Sequence, residues 1–132
     1  MEDRIATFLK AKAFGVVGAS TNREKYGNKV LRCYQQAGRT VVPVNPKEKT
    51  VEGLAAVAKV EELPPEVDAL SIITPPEVTE KVVDAAIRKG IKHVWMQPGA
   101  ESPAAIERAE KAGLNVIGDG SCLLVVLRYS EH

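Results

Sequence analysis

Charge of one sign, cysteine, histidine and long apolar runs are all scarce in this sequence, and each scarcity closes a class of function. The formal net charge is +1, from 18 basic and 17 acidic residues. Nucleic-acid binders concentrate a basic excess on one face, and membrane-surface proteins meet anionic headgroups with clustered lysine and arginine. A near-neutral chain is expected to bind no nucleic acid and no membrane. No apolar run approaches the ~20 residues that cross a bilayer. The amino terminus, Met1-Glu2-Asp3-Arg4, is acidic and lacks the apolar stretch of a signal peptide, so secretion is not expected. Cys33 and Cys122 are the two cysteines and form no CxxC pair, which reads as two free thiols in a cytoplasmic protein. His93 and His132 have no cysteine at metal-ligand spacing, so no metal site is expected.

What is present is an alternation of strand and helix signals over 132 residues, a length that suits one domain spanning residues 1–132. Such a domain buries roughly two-thirds of its unfolded surface and needs no disulfide or metal to fold. Residues 3–12 read as an amphipathic helix with an acidic start and a basic end. Short apolar runs at 13–18, 40–44, 67–74, 91–96 and 114–117 read as strands covered on both faces. Helices are expected at 28–37, from Pro76 to Lys89, and from Ser102 to Ala112. Gly38, Gly90 and Gly113 are their stops, because glycine tolerates the left-handed conformation that closes a helix. Ser102-Pro103 gives an N-cap followed by proline at the first helical position. Glu77 with Lys81 and Asp84 with Arg88 stand four apart, as helix-supporting pairs do. Residues 47–66 are the least regular, with room for one short helix. Residues 122–127 suit strand or helix equally.

The expected fold is α/β: a Rossmann-like, doubly wound parallel sheet of five or six strands, in the order 3-2-1-4-5. Ligands of such sheets lie beyond the carboxyl ends of the strands, where the order reverses. Five segments therefore share one rim: 18–28, 45–49, 74–77, 97–100 and 118–122.

In the first, Gly18 follows a strand and Gly27-Asn28 leads into a helix, whose free N–H groups attract phosphate. Ser20 and Thr21 add hydroxyls there, and Arg23 and Lys25 add charge. The segment is not GxGxxG, because Ser20 and Arg23 replace the second and third glycines, so a standard NAD fingerprint is missing. After the second strand, Lys47 and Lys49 stand where NAD-binding domains carry an acid. They suit a phosphate-bearing ribose, as in NADP or coenzyme A, or are solvated loop charges. Thr74-Pro75-Pro76 offers an edge for an adenine or simply opens a helix. Gln97-Pro98-Gly99 either admits a ligand close to the backbone or is a tight turn. His93 lies toward the other end of the sheet and reads as structural.

Together, Gly18-Ala19-Ser20, Val42-Pro43-Val44-Asn45-Pro46 and Val94-Trp95-Met96-Gln97-Pro98-Gly99 resemble the CoA-binding domain family. Its fold also forms the nucleotide-binding part of the succinyl-CoA synthetase alpha subunit. The resemblance runs from about Ala13 to Cys122, and the chain looks like members in which this domain is the entire protein. The resemblance implies a diphosphate on Gly18, Ala19, Ser20, Thr21 and Lys25, at the helix start that holds Gly27 and Asn28. It implies the adenosine 3′-phosphate at Asn45, Pro46 and Lys47, and the adenine against Thr74, Pro75 and Pro76. It implies the pantetheine arm at Gln97, Pro98 and Gly99. In the synthetases the phosphorylated histidine belongs to a further domain, and no residue here matches it. The expectation is a non-catalytic module that takes coenzyme A or an acyl-CoA, with a protein partner or a second copy as company. The alternatives are an NADP-dependent oxidoreductase and a subunit of an acyl-CoA synthetase completed by a partner chain.

Overall fold

A computed structural model describes residues 3–130. His132 lies outside that range. Five strands, β1 (Ala13–Val17), β2 (Val41–Val44), β5 (Val67–Ile72), β6 (His93–Met96) and β7 (Asn115–Ile117), pair in parallel as one sheet. Between β2 and β5 lie a two-stranded hairpin, β3 (Thr50–Val51) with β4 (Leu54–Ala55), and a 3-10 turn at Val60–Glu62. The short helix allowed for in this region is that single turn.

Helices cover both faces of the sheet. On one side α3 (Pro76–Lys89) and α4 (Pro103–Lys111) pack on Leu70, Ile72, Val94 and Met96. On the other, α1 (Arg4–Leu9), α2 (Tyr26–Gln36) and α5 (Leu123–Val126) pack on Phe14, Ala69 and Trp95. Residues two apart on a strand share a face, which is why Leu70 and Ile72 meet one layer while Ala69 meets the other. Tyr34, fully buried on α2, stacks on Phe14 with ring centroids 4.7 Å apart. Its hydroxyl meets the buried Ser71 hydroxyl at 2.6 Å.

The helix boundaries follow local chemistry. Asp3 caps α1 by accepting from the Ile5 and Ala6 amides. Ser102 caps α4 by accepting from the Ala105 amide, with Pro103 next. Proline also opens α3, and Gly90, at φ 89°, closes it. The α2 helix begins at Tyr26 rather than 28, and within 122–127, left open between strand and helix, Leu123–Val126 form a helix. Asp84 does not support its own helix through Arg88: it pairs with Arg108 of α4 at 2.9 Å, while Arg88 pairs with Glu61 at 3.4 Å.

The expected strand order, 3-2-1-4-5, is not the one adopted. In chain order the sheet runs 2-1-3-4-5, that is β2-β1-β5-β6-β7. The place beside β2 is taken by the chain that leaves it. Val57 bridges Val44 in parallel, donating its amide to the Pro43 carbonyl at 3.0 Å while its own carbonyl accepts from the Asn45 amide at 2.9 Å. The third strand, β5, is nearly all buried and takes the centre, between β1 and β6. The order therefore reverses between β1 and β5, which moves the favoured ligand crevice to that pair.

Candidate functional site

The loop after β1 is shaped by two glycines. Gly18 sits at φ 95°, and a Cβ there would lie 2.0 Å from the Ile73 carbonyl oxygen. A Cβ on Gly27 would lie 2.0 Å from the Gly18 carbonyl oxygen. This contact lets glycine stand in the first turn of α2 despite its poor helix propensity. Two asparagines then hold the loop. Asn45 donates to the Ala19 carbonyl at 2.8 Å, and its own oxygen accepts from the Lys47 and Glu48 amides. Asn28, fully buried, donates to the Ser20 carbonyl at 2.8 Å and to Glu52 at 3.0 Å, and accepts from Arg32 at 2.7 Å. Glu52 is a residue that sequence reasoning missed. It lies at the hairpin tip with φ 49°, reaches over the start of α2 and pairs with Arg23 at 3.3 Å. The positive φ beside Gly53 is a turn signal, but only the tertiary fold brings it to this loop.

Next to this loop, where the strand order reverses, is a cleft of about 390 Å³. Such a volume is within the range of small-molecule sites. Its floor is the ends of β1 and β2, through Val17, Gly18, Ala19, Val44, Asn45 and Pro46. Thr74 joins it from the end of β5. One wall is a stripe of α3, Val78, Lys81, Val82, Ala85 and Arg88, whose spacing of three and four keeps the side chains on one face. The other wall is the segment from Ala58 to Glu61. The Arg88–Glu61 pair ties the walls together. The Glu61 carboxyl is held below its ordinary value, first by a backbone hydrogen bond and then by Arg88.

A second cluster lies further along the same edge. Gln97, fully buried after β6, accepts from the Tyr26 hydroxyl at 3.1 Å and from the Leu123 amide at 2.9 Å. Its amide nitrogen has no hydrogen-bond partner among the described residues. Tyr26 also meets Cys122 Sγ at 2.7 Å. Burial and this contact push the Tyr26 phenol well above its ordinary value. Cys33, beneath, is pushed up to about 11 by burial.

A family model described as a CoA binding domain matches residues 12–128. The chain belongs to the CoA-binding domain family. The chain is 30% identical to the acetate–CoA ligase (ADP-forming) II subunit alpha of Pyrococcus furiosus over 84% of its own length, but spans 27% of that relative. A conserved hypothetical protein from Pyrococcus furiosus superposes with a TM-score of 0.83 at 40% identity, covering 87% of this chain and 98% of that one. A dinucleotide-forming acetyl-coenzyme A synthetase 1 from Ca. Korarchaeum cryptofilum, solved with phosphate and ADP, gives a TM-score of 0.78 at 29% identity. That match covers 91% of this chain and 28% of the synthetase.

Of the residues that the family resemblance singles out, Gly18, Ala19, Asn45, Pro46 and Thr74 line the cleft. Lys47 lines a neighbouring hollow with Glu48, Lys49 and Glu62. Pro75 and Pro76 are exposed at the start of α3, and Thr21 and Lys25 are exposed in the first loop. Pro98 and Gly99 are exposed beyond Gln97. There φ of 95° accounts for Gly99, and its amide donates to Glu101 at 2.7 Å.

Proposed function

We propose that this chain, as one domain over residues 1–132, binds coenzyme A or an acyl-CoA in the cytoplasm and performs no chemistry of its own. The observation that carries the reading is the cleft at the reversal between β1 and β5, in a member of the CoA-binding domain family. An adenosine fits there, with an apolar floor beneath the base and cations at the rim. The diphosphate follows on Gly18, Ala19, Ser20 and Thr21, with Lys25, Gly27 and Asn28 at the helix start. The arm then crosses toward Gln97, Pro98 and Gly99. From β2 to β6 is three strand spacings, about 14 Å at ~4.8 Å each, so the ligand must be long and extended. Both termini of such a ligand differ in chemistry, and so do the two ends of this edge: cationic at the cleft, thiol-bearing at Cys122.

The reading is of a module rather than a catalyst. His93 opens β6, at the end of the sheet away from the cleft. A synthetase subunit completed by a partner chain is the second reading. The acetate–CoA ligase alpha subunit named above supports it, since this chain spans about a quarter of that relative's length. Thermal unfolding with CoA, acetyl-CoA and NADP in parallel tests the proposal. Ligand at 100 times its Kd adds about 2.7 kcal/mol. A rise with the first two, and none with NADP, is expected; a rise with NADP alone would replace this function with an oxidoreductase.

A further inference from the structure

Gln97 is fully buried where β6 ends, yet its amide nitrogen pairs with nothing among the described residues. A buried donor left unpaired is costly, so this nitrogen wants an acceptor. The orientation of the side chain is fixed. The Leu123 amide only donates, and it gives its hydrogen to Gln97 Oε1 at 2.9 Å, which leaves Nε2 as the open end. We infer that Cys122 is an acyl-acceptor site: its thiol takes the acyl group of a bound short-chain acyl-CoA as a protein thioester, with the Gln97 amide receiving the carbonyl oxygen. The inference rests on the proposed CoA reading and goes beyond it. The chain is the acceptor of one group and turns nothing over.

Measured contacts bring the parts together. The Tyr26 hydroxyl lies 2.7 Å from Cys122 Sγ and 3.1 Å from Gln97 Oε1. Leu123, whose amide meets the same Oε1, is the chain neighbour of Cys122. A nucleophile and a carbonyl-oxygen donor therefore stand either side of one hydroxyl. Cys122 is half-buried, whereas Cys33 is buried with its thiol turned to the Leu123 carbonyl at 3.9 Å, so Cys122 is the thiol that a ligand can meet. Tyr26 has a single proton. While Gln97 accepts it, the Cys122 thiol donates to the Tyr26 oxygen. When the thiol ionises, the proton can turn to the sulfur, and Oε1 keeps the Leu123 amide.

A thioester suits such a pair. Its oxygen is an acceptor for the open N–H, and its carbon is electrophilic toward sulfur. The Cys122 thiolate forms a C–S bond to that carbon, and the charge that develops on the oxygen meets the Gln97 amide. The C–S bond to the coenzyme then breaks. Its sulfur leaves with the electron pair and takes up the proton that the Cys122 thiol gave up. One thioester replaces another, nothing is oxidised or reduced, and no further reactant is needed.

The test is intact-mass analysis of the whole chain after incubation with acetyl-CoA and a reductant, beside calorimetric titration with CoA. Wild type is expected to gain one acetyl group, mapped to Cys122, released by neutral hydroxylamine and matched by an equal amount of free CoA. Cys122→Ala should gain none. Gln97→Met keeps the length of the side chain and removes the donor, so acetylation should slow by roughly a hundredfold, the effect of losing one oxyanion donor. Its Cys122 should still react with iodoacetamide at the wild-type rate, because attack at a saturated carbon needs no such donor. Equal slowing of both reactions would make Gln97 a support of the thiol alone and overturns its assigned role. The wild-type measurement stands whether or not that variant folds. CoA binding with no acetyl on Cys122, or acetyl on lysine that resists hydroxylamine, overturns the inference and leaves the CoA reading standing. Failure of wild type to bind CoA overturns both.

Discussion

The Tyr26 hydroxyl lies 2.7 Å from Cys122 Sγ, a contact that joins the first turn of α2 to the segment after β7, 96 residues further along the chain. The same hydroxyl donates to the buried Gln97 carboxamide. Three of the five rim segments therefore meet at one point, which the proposed path of the ligand's arm makes its far end.

The two thiols should differ sharply in reactivity. Cys122 is half-buried at the edge, whereas Cys33 is buried and its thiol is pushed up to about 11. Only the thiolate is nucleophilic. Iodoacetamide at pH 8 is expected to add once to the folded chain, on Cys122, and acetyl-CoA, which has no free thiol, should slow the reaction. Intact mass and peptide mapping check it. Labelling of Cys33 first contradicts the geometry, and indifference to acetyl-CoA contradicts the path assigned to the arm.

Gly27→Ala should be costly although Gly27 is helical. The added Cβ would lie 2.0 Å from the Gly18 carbonyl oxygen, where the obstacle is backbone and cannot rotate away. Overpacking of this kind costs about 1–3 kcal/mol. It should also displace the loop that the ligand needs. Gly38→Ala is the control: Gly38 has φ 71° and open space around it, so only backbone strain of roughly 1–2 kcal/mol applies. Urea unfolding and CoA titration of both variants should show binding lost in the first alone. Equal binding by the two would show that the Gly18–Gly27 contact does not shape the site.

How much of this was legible beforehand depends on the range of the interaction. Caps at Ser102-Pro103 and the stop at Gly90 are local, and they fall where the residues dictate. So do the five strands of the sheet. The strand order is not local: it turns on Val57 taking the edge beside Val44, a pairing that no periodicity marks. With the order mistaken, the crevice could not be assigned to β1 and β5, nor could the face of α3 bearing Lys81 be matched to it. Asp84 shows the same limit, for a helical neighbour at the right spacing loses to Arg108 on another helix. Asn28 and Asn45 are expected at the rim by position, and the structure shows what position alone does not: their side chains hold the first loop through the Ser20 and Ala19 carbonyls.

His93 gives a pH dependence. Burial is the main cause that lowers its pKa from the ordinary 6.5. The Asn115 amide donates to the Arg4 carbonyl at 2.9 Å and meets His93 Nδ1 at 3.2 Å, so Nδ1 acts as an acceptor in the neutral ring. The unfolded chain then binds the proton more readily than the folded one. Stability is accordingly full above pH 6.5 and is lost as pH falls through the lowered folded value. Urea midpoints between pH 7.5 and 5 should fall less in His93→Gln than in wild type. A parallel fall in the two would assign the acid sensitivity to other groups.

The central claim is that this fold binds coenzyme A at the edge where β1 and β5 diverge. Calorimetric titration of the purified chain with CoA, beside an identical titration with NADP, tests it most directly. The account predicts saturable binding of one CoA per chain, weakened by added salt because phosphate contacts contribute, and no saturable heat from NADP. Saturable NADP binding with no response to CoA would contradict it.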